Sequence, residues 1–385
     1  MGRRSIPQEL RDDIWQVIAA LAEDRDPTAE TEDEREREGM QPEILSLNSV
    51  RPCAIEAAIR FAAWSAAGDH ASVADGSSPT LPENVRDVLD WHLDPERERT
   101  RTVHAVFGRH VNQLYSLDPE WTTERAPAIF PEDPSQAALR DIAWRAFIDA
   151  NRFWPRSWEL LEPQYRRAIK ALADERLDKK DVSLVDPSDV LLGHLLSAYL
   201  NDLIELSDDS LLGMFSETAP LRLRRTFLEM IGTNLSGEHD VSERVQGKLQ
   251  QLWEWRAEKV FAEGNVAELA GFDWWFGSGK MPHEWSVEQL LRVLEAGGGV
   301  TFDYVVTQRL PDLAATDLPS AVRITAGLVE HAYTPHMVLS AREPFRTVLA
   351  AALASGDNEL VATARATISR LYADRHTEFN DLLDD

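Results

Sequence analysis

The run Gly277-Ser278-Gly279-Lys280 has the residue types of a phosphate-binding loop. A Walker A loop also needs a glycine five residues before its second glycine and a serine or threonine after its lysine. Backbone N–H groups and a hydroxyl then hold the phosphates and the magnesium ion. Here those two positions are Trp274 and Met281, and no strand-like segment precedes them. The run therefore does not predict phosphate binding, and we expect no cofactor.

The ten histidines are the next candidates, because neutral imidazole is a common zinc ligand. None forms a His-Glu-x-x-His motif, and none lies four residues from another. His331 and His336 are separated by a stretch containing Pro335, which does not suit two ligands on one helix. His194 lies in an apolar helical segment, where we expect a hydrogen-bonded core imidazole. We predict no metal site. The alternative is a site whose ligands lie far apart in the sequence and are brought together by the fold.

Nucleophilic catalysis would need an activated serine or cysteine. The sequence has no Gly-x-Ser-x-Gly motif, and its single cysteine, Cys53, follows Pro52 at an apolar helix start. We expect Cys53 to be a buried apolar residue, and one cysteine excludes intramolecular disulfides and Cys-only zinc sites. No catalytic residue is predicted. The alternative is an enzyme, such as a metal-dependent hydrolase, whose site is assembled across helices.

Tryptophan is unusually frequent, at 12 residues, and several lie close together late in the chain. Large rings commonly fill gaps between irregular helix pairs, so a core role is the first interpretation. Three consecutive rings on one helix cannot all face one core, so at least one should be partly exposed. We therefore predict a protein-contact patch formed by Trp274, Trp275, Phe276, Lys280 and Trp285. On this hypothesis, Trp275→Ala should weaken partner binding and leave the melting temperature nearly unchanged.

Amphipathic segments separated by proline, glycine and aspartate make up most of the sequence. Their apolar residues recur at helical spacing, and almost none alternates as a strand would. This pattern indicates an all-α fold, and we expect an irregular α-solenoid of stacked helix pairs. A compact all-α bundle is the alternative, since no repeat consensus recurs.

The same pattern suggests how the chain is divided. Residues 1–23 read as an N-terminal helix, and 24–44 read as an acidic linker because charges dominate there. Residues 45–385 read as one helical-repeat array, with subdivisions expected near 180–186 and 264–285.

The charge balance narrows the class of partner. Sixty-six acids oppose 40 lysines and arginines, giving a net charge of −26. A field of that sign repels phosphate backbones, so a protein partner is expected and nucleic acid is disfavoured. Local basic clusters such as Arg222, Arg224 and Arg225 keep a nucleic-acid-binding array as an alternative. No apolar stretch predicts a membrane span or a secretory signal, so we expect a cytoplasmic protein with no membrane contact.

Three runs together carry a resemblance to a known family. The first is Leu47-Asn48-Ser49-Val50-Arg51-Pro52, the second is Val103-His104-Ala105-Val106-Phe107-Gly108, and the third is Trp274-Trp275-Phe276-Gly277-Ser278-Gly279-Lys280 with Trp285. They are similar to the helical C-terminal regions of large bacterial ATP-binding proteins of the kind found in antiviral defence systems. In that family a helical sensor or scaffold follows an effector and an NTPase core.

The resemblance covers about residues 45–380, and it carries no catalytic residue onto this sequence. Since no Walker context is present, the chain resembles a detached helical region, a stand-alone version or a fragment. The resemblance implies recognition and assembly. We therefore expect a non-enzymatic helical scaffold or recognition module that binds another macromolecule, in a bacterial defence system if the resemblance holds.

Overall fold

A computed structural model describes residues 7–69, 80–173, 186–331, 338 and 340–383. These residues form helices joined by turns, and no strand occurs among them. The all-α fold predicted from the sequence is confirmed. The choice between stacked helix pairs and a compact bundle stays a prediction.

The chain divides into two compact units. Of the described residues, the N-terminal unit contains 7–171 and 186–203, and the C-terminal unit contains 172–173 and 204–383. The subdivision expected near 180–186 falls largely on residues outside the described ranges. Residues 264–285 lie inside the C-terminal unit.

Ten helices make up most of the described N-terminal unit. They are α1 (Arg11–Ala22), α2 (Ala29–Arg37), α3 (Pro42–Leu45), α4 (Val50–Asp69), α5 (Glu83–Leu93), α6 (Arg101–Leu117), α7 (Pro119–Ile129), α8 (Ala137–Ala150), α9 (Trp158–Ala171) and α10 (Pro187–Leu200). Helix α6 is the central element of this unit. Its buried residues extend from Thr102 to Leu114, and it packs on α4, α7 and α8. Gly108 allows the close approach of α6 and α8, since a Cβ there would lie 1.9 Å from the carbonyl oxygen of Ala143.

The acidic segment 24–44 differs from the linker that the sequence predicts. It contains α2 and α3, and Glu32 on α2 is buried. The two carboxylate oxygens of Glu32 accept hydrogen bonds from the backbone N–H groups of Arg101 and Thr102, each at 2.8 Å. A carboxylate at a helix N-terminus satisfies otherwise unpaired N–H groups and complements the helix dipole. The segment therefore caps α6 from a distant part of the chain.

The described C-terminal unit contains ten further helices. They are α11 (Leu211–Thr218), α12 (Leu221–Leu235), α13 (Glu243–Glu263), α14 (Phe272–Ser278), α15 (His283–Glu295), α16 (Asp303–Thr307), α17 (Leu310–Thr316), α18 (Leu318–His331), α19 (Arg342–Ala354) and α20 (Asn358–Ala373). The short α14 packs against α12, α15 and α16, so neighbours surround it on several sides. This environment decides where the aromatic run 274–276 points.

Candidate functional site

Two residues of the predicted contact patch lie in the core. Trp275 is 0% exposed and Phe276 is also buried. The indole N–H of Trp275 donates to the carbonyl oxygen of Leu228 at 2.8 Å, and its ring packs beside Trp253 and Phe272. The prediction that these two side chains contact a partner is therefore wrong, because helices on several sides enclose them.

Lys280 and Trp285 are half-buried and engaged within the unit. The amine of Lys280 lies 3.3 Å from a carboxylate oxygen of Asp240. The indole N–H of Trp285 donates to Glu254 at 2.7 Å, and its ring packs on Phe272. Both side chains thus support local packing in the structure.

Trp274 is the residue of the run that reaches the surface, which agrees with the expectation that at least one ring would do so. Its ring lies 5.3 Å, centroid to centroid, from the ring of Phe302. Phe302 is 53% exposed, and Tyr304, two residues further along, is 57% exposed. We call Trp274, Phe302 and Tyr304 the aromatic patch.

A buried carboxylate positions two residues of this patch. Asp273 is 0% exposed, and its oxygens accept hydrogen bonds from the backbone N–H of Trp274 at 2.7 Å and from that of Phe302. Burial raises the pKa of Asp273 to about 6, and the hydrogen bonds from the backbone N–H groups act in the opposite direction. Asp273 is therefore ionised at neutral pH and fixes the backbone under both rings.

A second set of polar contacts fixes the loop that carries Phe302. The hydroxyl of Thr301 donates to Glu229 at 2.7 Å and accepts from the guanidinium of Arg225, also at 2.7 Å. Arg225 in turn donates to Glu229 at 2.8 Å. The loop is thus tied to α12 by a closed network, so the exposed rings sit on a backbone with defined geometry.

Sequence reasoning missed Phe302 and Tyr304. Both follow the Gly297-Gly298-Gly299 run, which ends α15 with Gly297 at φ 80°. Isolated aromatic residues after a turn have no periodicity to indicate their exposure. A usable signal would have been the tight turn itself, since Gly298 packs against Val293 and Val266 and brings the following residues back to α14.

The N-terminal unit holds a buried tyrosine–histidine pair. The hydroxyl of Tyr165 lies 2.8 Å from Nδ1 of His194, and Nε2 of His194 lies 3.2 Å from the carbonyl oxygen of Asn151. Because a carbonyl only accepts, Nε2 carries the proton and the tyrosine hydroxyl donates to Nδ1. Burial lowers the pKa of His194 to about 4, so the imidazole is neutral at pH 7. This is the hydrogen-bonded core imidazole that the apolar helix predicted.

Cys53 is exposed, in contrast to the burial expected from the sequence. It lies near the start of α4 on the side away from the core, and its thiol lies 3.5 Å from the carbonyl oxygen of Leu47. Among the described residues, no three histidine, cysteine or acidic side chains come together as a metal-binding group. None of the described helices has the length and apolar character needed to cross a membrane.

Fold and surface together define an all-α protein of two compact units, with an exposed aromatic patch on the C-terminal one. Compared with protein-family models, curated proteins and solved structures, the chain has no significant match.

The two units should respond to acid in opposite directions. Burial lowers the pKa of His104 and of His194 to about 4, against about 6.5 when unfolded. Their contribution to stability is therefore complete above pH 6.5 and is lost as the pH falls towards 4, by about 2 kcal/mol each between pH 6.5 and 5. Asp273 has a raised pKa, so lowering the pH from about 6 towards 3.8 stabilises the C-terminal unit.

Residue-resolved hydrogen exchange at pH 7 and pH 5, corrected for intrinsic rates, measures this difference. We expect lower protection in α6 and α10 at pH 5, and unchanged or higher protection in α14. Asp273→Asn is the control, because it removes the acid-dependent gain from the C-terminal unit alone. Equal loss of protection in both units would contradict the assignment of these pKa values.

Proposed function

We propose that this protein is a helical scaffold or recognition module that binds another protein through the aromatic patch. One observation carries the proposal: two large rings, Phe302 and Tyr304, are more than half exposed, and a buried carboxylate holds the backbone at Phe302 in place. Aromatic rings anchored in this way are the residues that dominate binding energy at protein interfaces. Little ordering entropy is lost on binding, because the loop is already fixed.

The charge of the chain indicates the chemistry of the partner. The net charge of −26 favours encounter with a basic protein and raises the association rate at low ionic strength. The patch itself is apolar and aromatic, so it would accept an apolar side chain from such a partner. We therefore propose a basic protein surface that presents an apolar residue to Phe302.

The resemblance noted in the sequence fits this proposal. Helical C-terminal regions of bacterial defence-type ATP-binding proteins act in recognition and assembly, and we propose a similar role here. The run Trp274-Trp275-Phe276 supplies one ring of the aromatic patch, Trp274, and two rings of the core, Trp275 and Phe276.

The double substitution Phe302→Ala and Tyr304→Ala tests the proposal. Removing two anchor rings should weaken binding of the partner by about 30- to 1,000-fold, since truncating an anchor ring costs about 1–2 kcal/mol. The melting temperature should change little, because both side chains are largely exposed. Titration calorimetry with the purified partner measures the affinity.

Tyr372→Ala is the matched control, since Tyr372 is 56% exposed in the same unit but outside the patch. Its affinity for the partner should equal that of the wild type. Equal affinity of the wild type, the double variant and the control would refute a role for the patch.

A further inference from the structure

A cavity in the C-terminal unit lies between α11, α12 and α13, and none of the residues of the aromatic patch lines it. Its volume is about 270 Å³ including the open mouth, and its enclosed part has room for a single water-sized particle. Apolar side chains form most of the wall: Leu212, Phe215, Phe227, Leu228 and Leu252. Arg224, Arg256 and Glu268 contribute charge to the same wall.

The charges of the wall do not cancel, because two positive side chains face one negative side chain. Both oxygens of Glu268 accept hydrogen bonds from Arg256, at 2.5 Å and 2.8 Å. Arg224 also approaches Glu268, at 3.4 Å, and donates to the carbonyl oxygen of Ser216 at 3.1 Å. Two guanidinium groups thus share one buried carboxylate. A further acid, Glu263, lies 3.8 Å from Arg256 and is half exposed, so solvent screens its contribution.

One donor of Arg224 is left over. Its Nε–H is buried and has no acceptor among the described residues. A buried donor without an acceptor costs about 1–3 kcal/mol, and more on a charged group. A water molecule would satisfy the N–H group but would leave the surplus positive charge. A small anion would satisfy both at once.

We propose that this cavity binds one small monovalent anion, chloride, held by the Nε–H of Arg224 beside the Arg256–Glu268 pair. The enclosed part has room for about one water molecule, and chloride is somewhat larger, so the ion sits where this part opens into the mouth. Sulfate and phosphate are larger still and are excluded. The apolar wall lowers the local dielectric and so strengthens the attraction between the anion and the two guanidinium groups. The open mouth gives the anion access from solvent.

Bound chloride would join α11 to α12 and α13, because the residues around it come from these helices. The stability of the C-terminal unit then depends on chloride by mass action. This inference is independent of the proposed partner binding.

The experiment measures the melting temperature from 0 to 1 M sodium chloride, with sodium gluconate added to hold the ionic strength constant. We expect wild-type protein to gain about 3 °C with saturation. Arg224→Gln should lose this gain, because it removes the leftover donor and the surplus charge. Arg323→Gln is the matched control, since Arg323 is an exposed arginine of the same unit and its variant should keep the gain.

Bromide-soaked crystals of the wild-type protein give a second readout. This readout remains informative even if Arg224→Gln fails to fold. An anomalous peak within hydrogen-bond distance of Arg224 Nε would support the proposal. An equal chloride response in wild type and Arg224→Gln, or a cavity that holds only water at saturating bromide, would overturn it.

Discussion

Trp275→Ala should destabilise the C-terminal unit by about 3–5 kcal/mol, the range found when a buried large aromatic side chain is truncated. The side chain is fully enclosed, its ring lies 5.5 Å from that of Trp253, and its indole N–H bonds to Leu228. Truncation would leave a large cavity and a buried carbonyl without its donor. For a unit of this size the melting temperature would fall by about 10 °C or more.

Thermal unfolding monitored by circular dichroism measures this effect. Trp91→Ala is the matched control, because Trp91 is 44% exposed and its loss should change stability by about 0.5 kcal/mol or less. An unchanged melting temperature combined with weaker partner binding would instead restore the surface role that the sequence predicts for Trp275.

Gly108→Ala should destabilise the N-terminal unit by about 3 kcal/mol or more. A Cβ at this position would meet the backbone of Ala143 at 1.9 Å, and backbone atoms cannot rotate away as a side chain can. Helices α6 and α8 would have to separate, which opens the central contact of the unit. Overpacking of a core typically costs about 1–3 kcal/mol of stability. A clash with backbone atoms should cost about 3 kcal/mol or more, because these atoms cannot move aside.

Gly193→Ala provides the control in the same unit. Gly193 lies inside α10, and a Cβ there meets nothing within 4 Å. Alanine favours a helix over glycine by about 1 kcal/mol, so this variant should be slightly more stable than wild type. Chemical denaturation of both variants measures the difference. Similar stability of the two variants would contradict the close approach of α6 and α8.

The all-α fold could be predicted because helical periodicity is a local property of the sequence. The neighbours of a helix are not local, and this explains the error at Trp275. The requirement that one of three consecutive rings point outwards was sound, and Trp274 fulfils it. Periodicity could not show that several helices surround the other two rings.

Glu32 illustrates the same limit for charge. A helix composed almost entirely of charged residues reads as solvated, yet Glu32 is buried because its partners, the N–H groups of Arg101 and Thr102, lie about 70 positions later. Phe302 and Tyr304 were missed for a related reason. Their exposure depends on a tight turn that brings the loop back to α14, and single residues in a loop have no pattern to reveal this.

Site-specific photo-crosslinking tests the central claim, that the aromatic patch binds a basic protein. A photoreactive phenylalanine replaces Phe302 in one protein and Tyr372 in another, and each is irradiated in native lysate at low ionic strength. The account predicts a discrete adduct with a basic protein from position 302 and none from position 372. That protein, once purified, should bind the Phe302→Ala and Tyr304→Ala double variant about 30- to 1,000-fold more weakly than the wild type. Identical adducts from both positions, or equal affinity for wild type and double variant, would contradict the account.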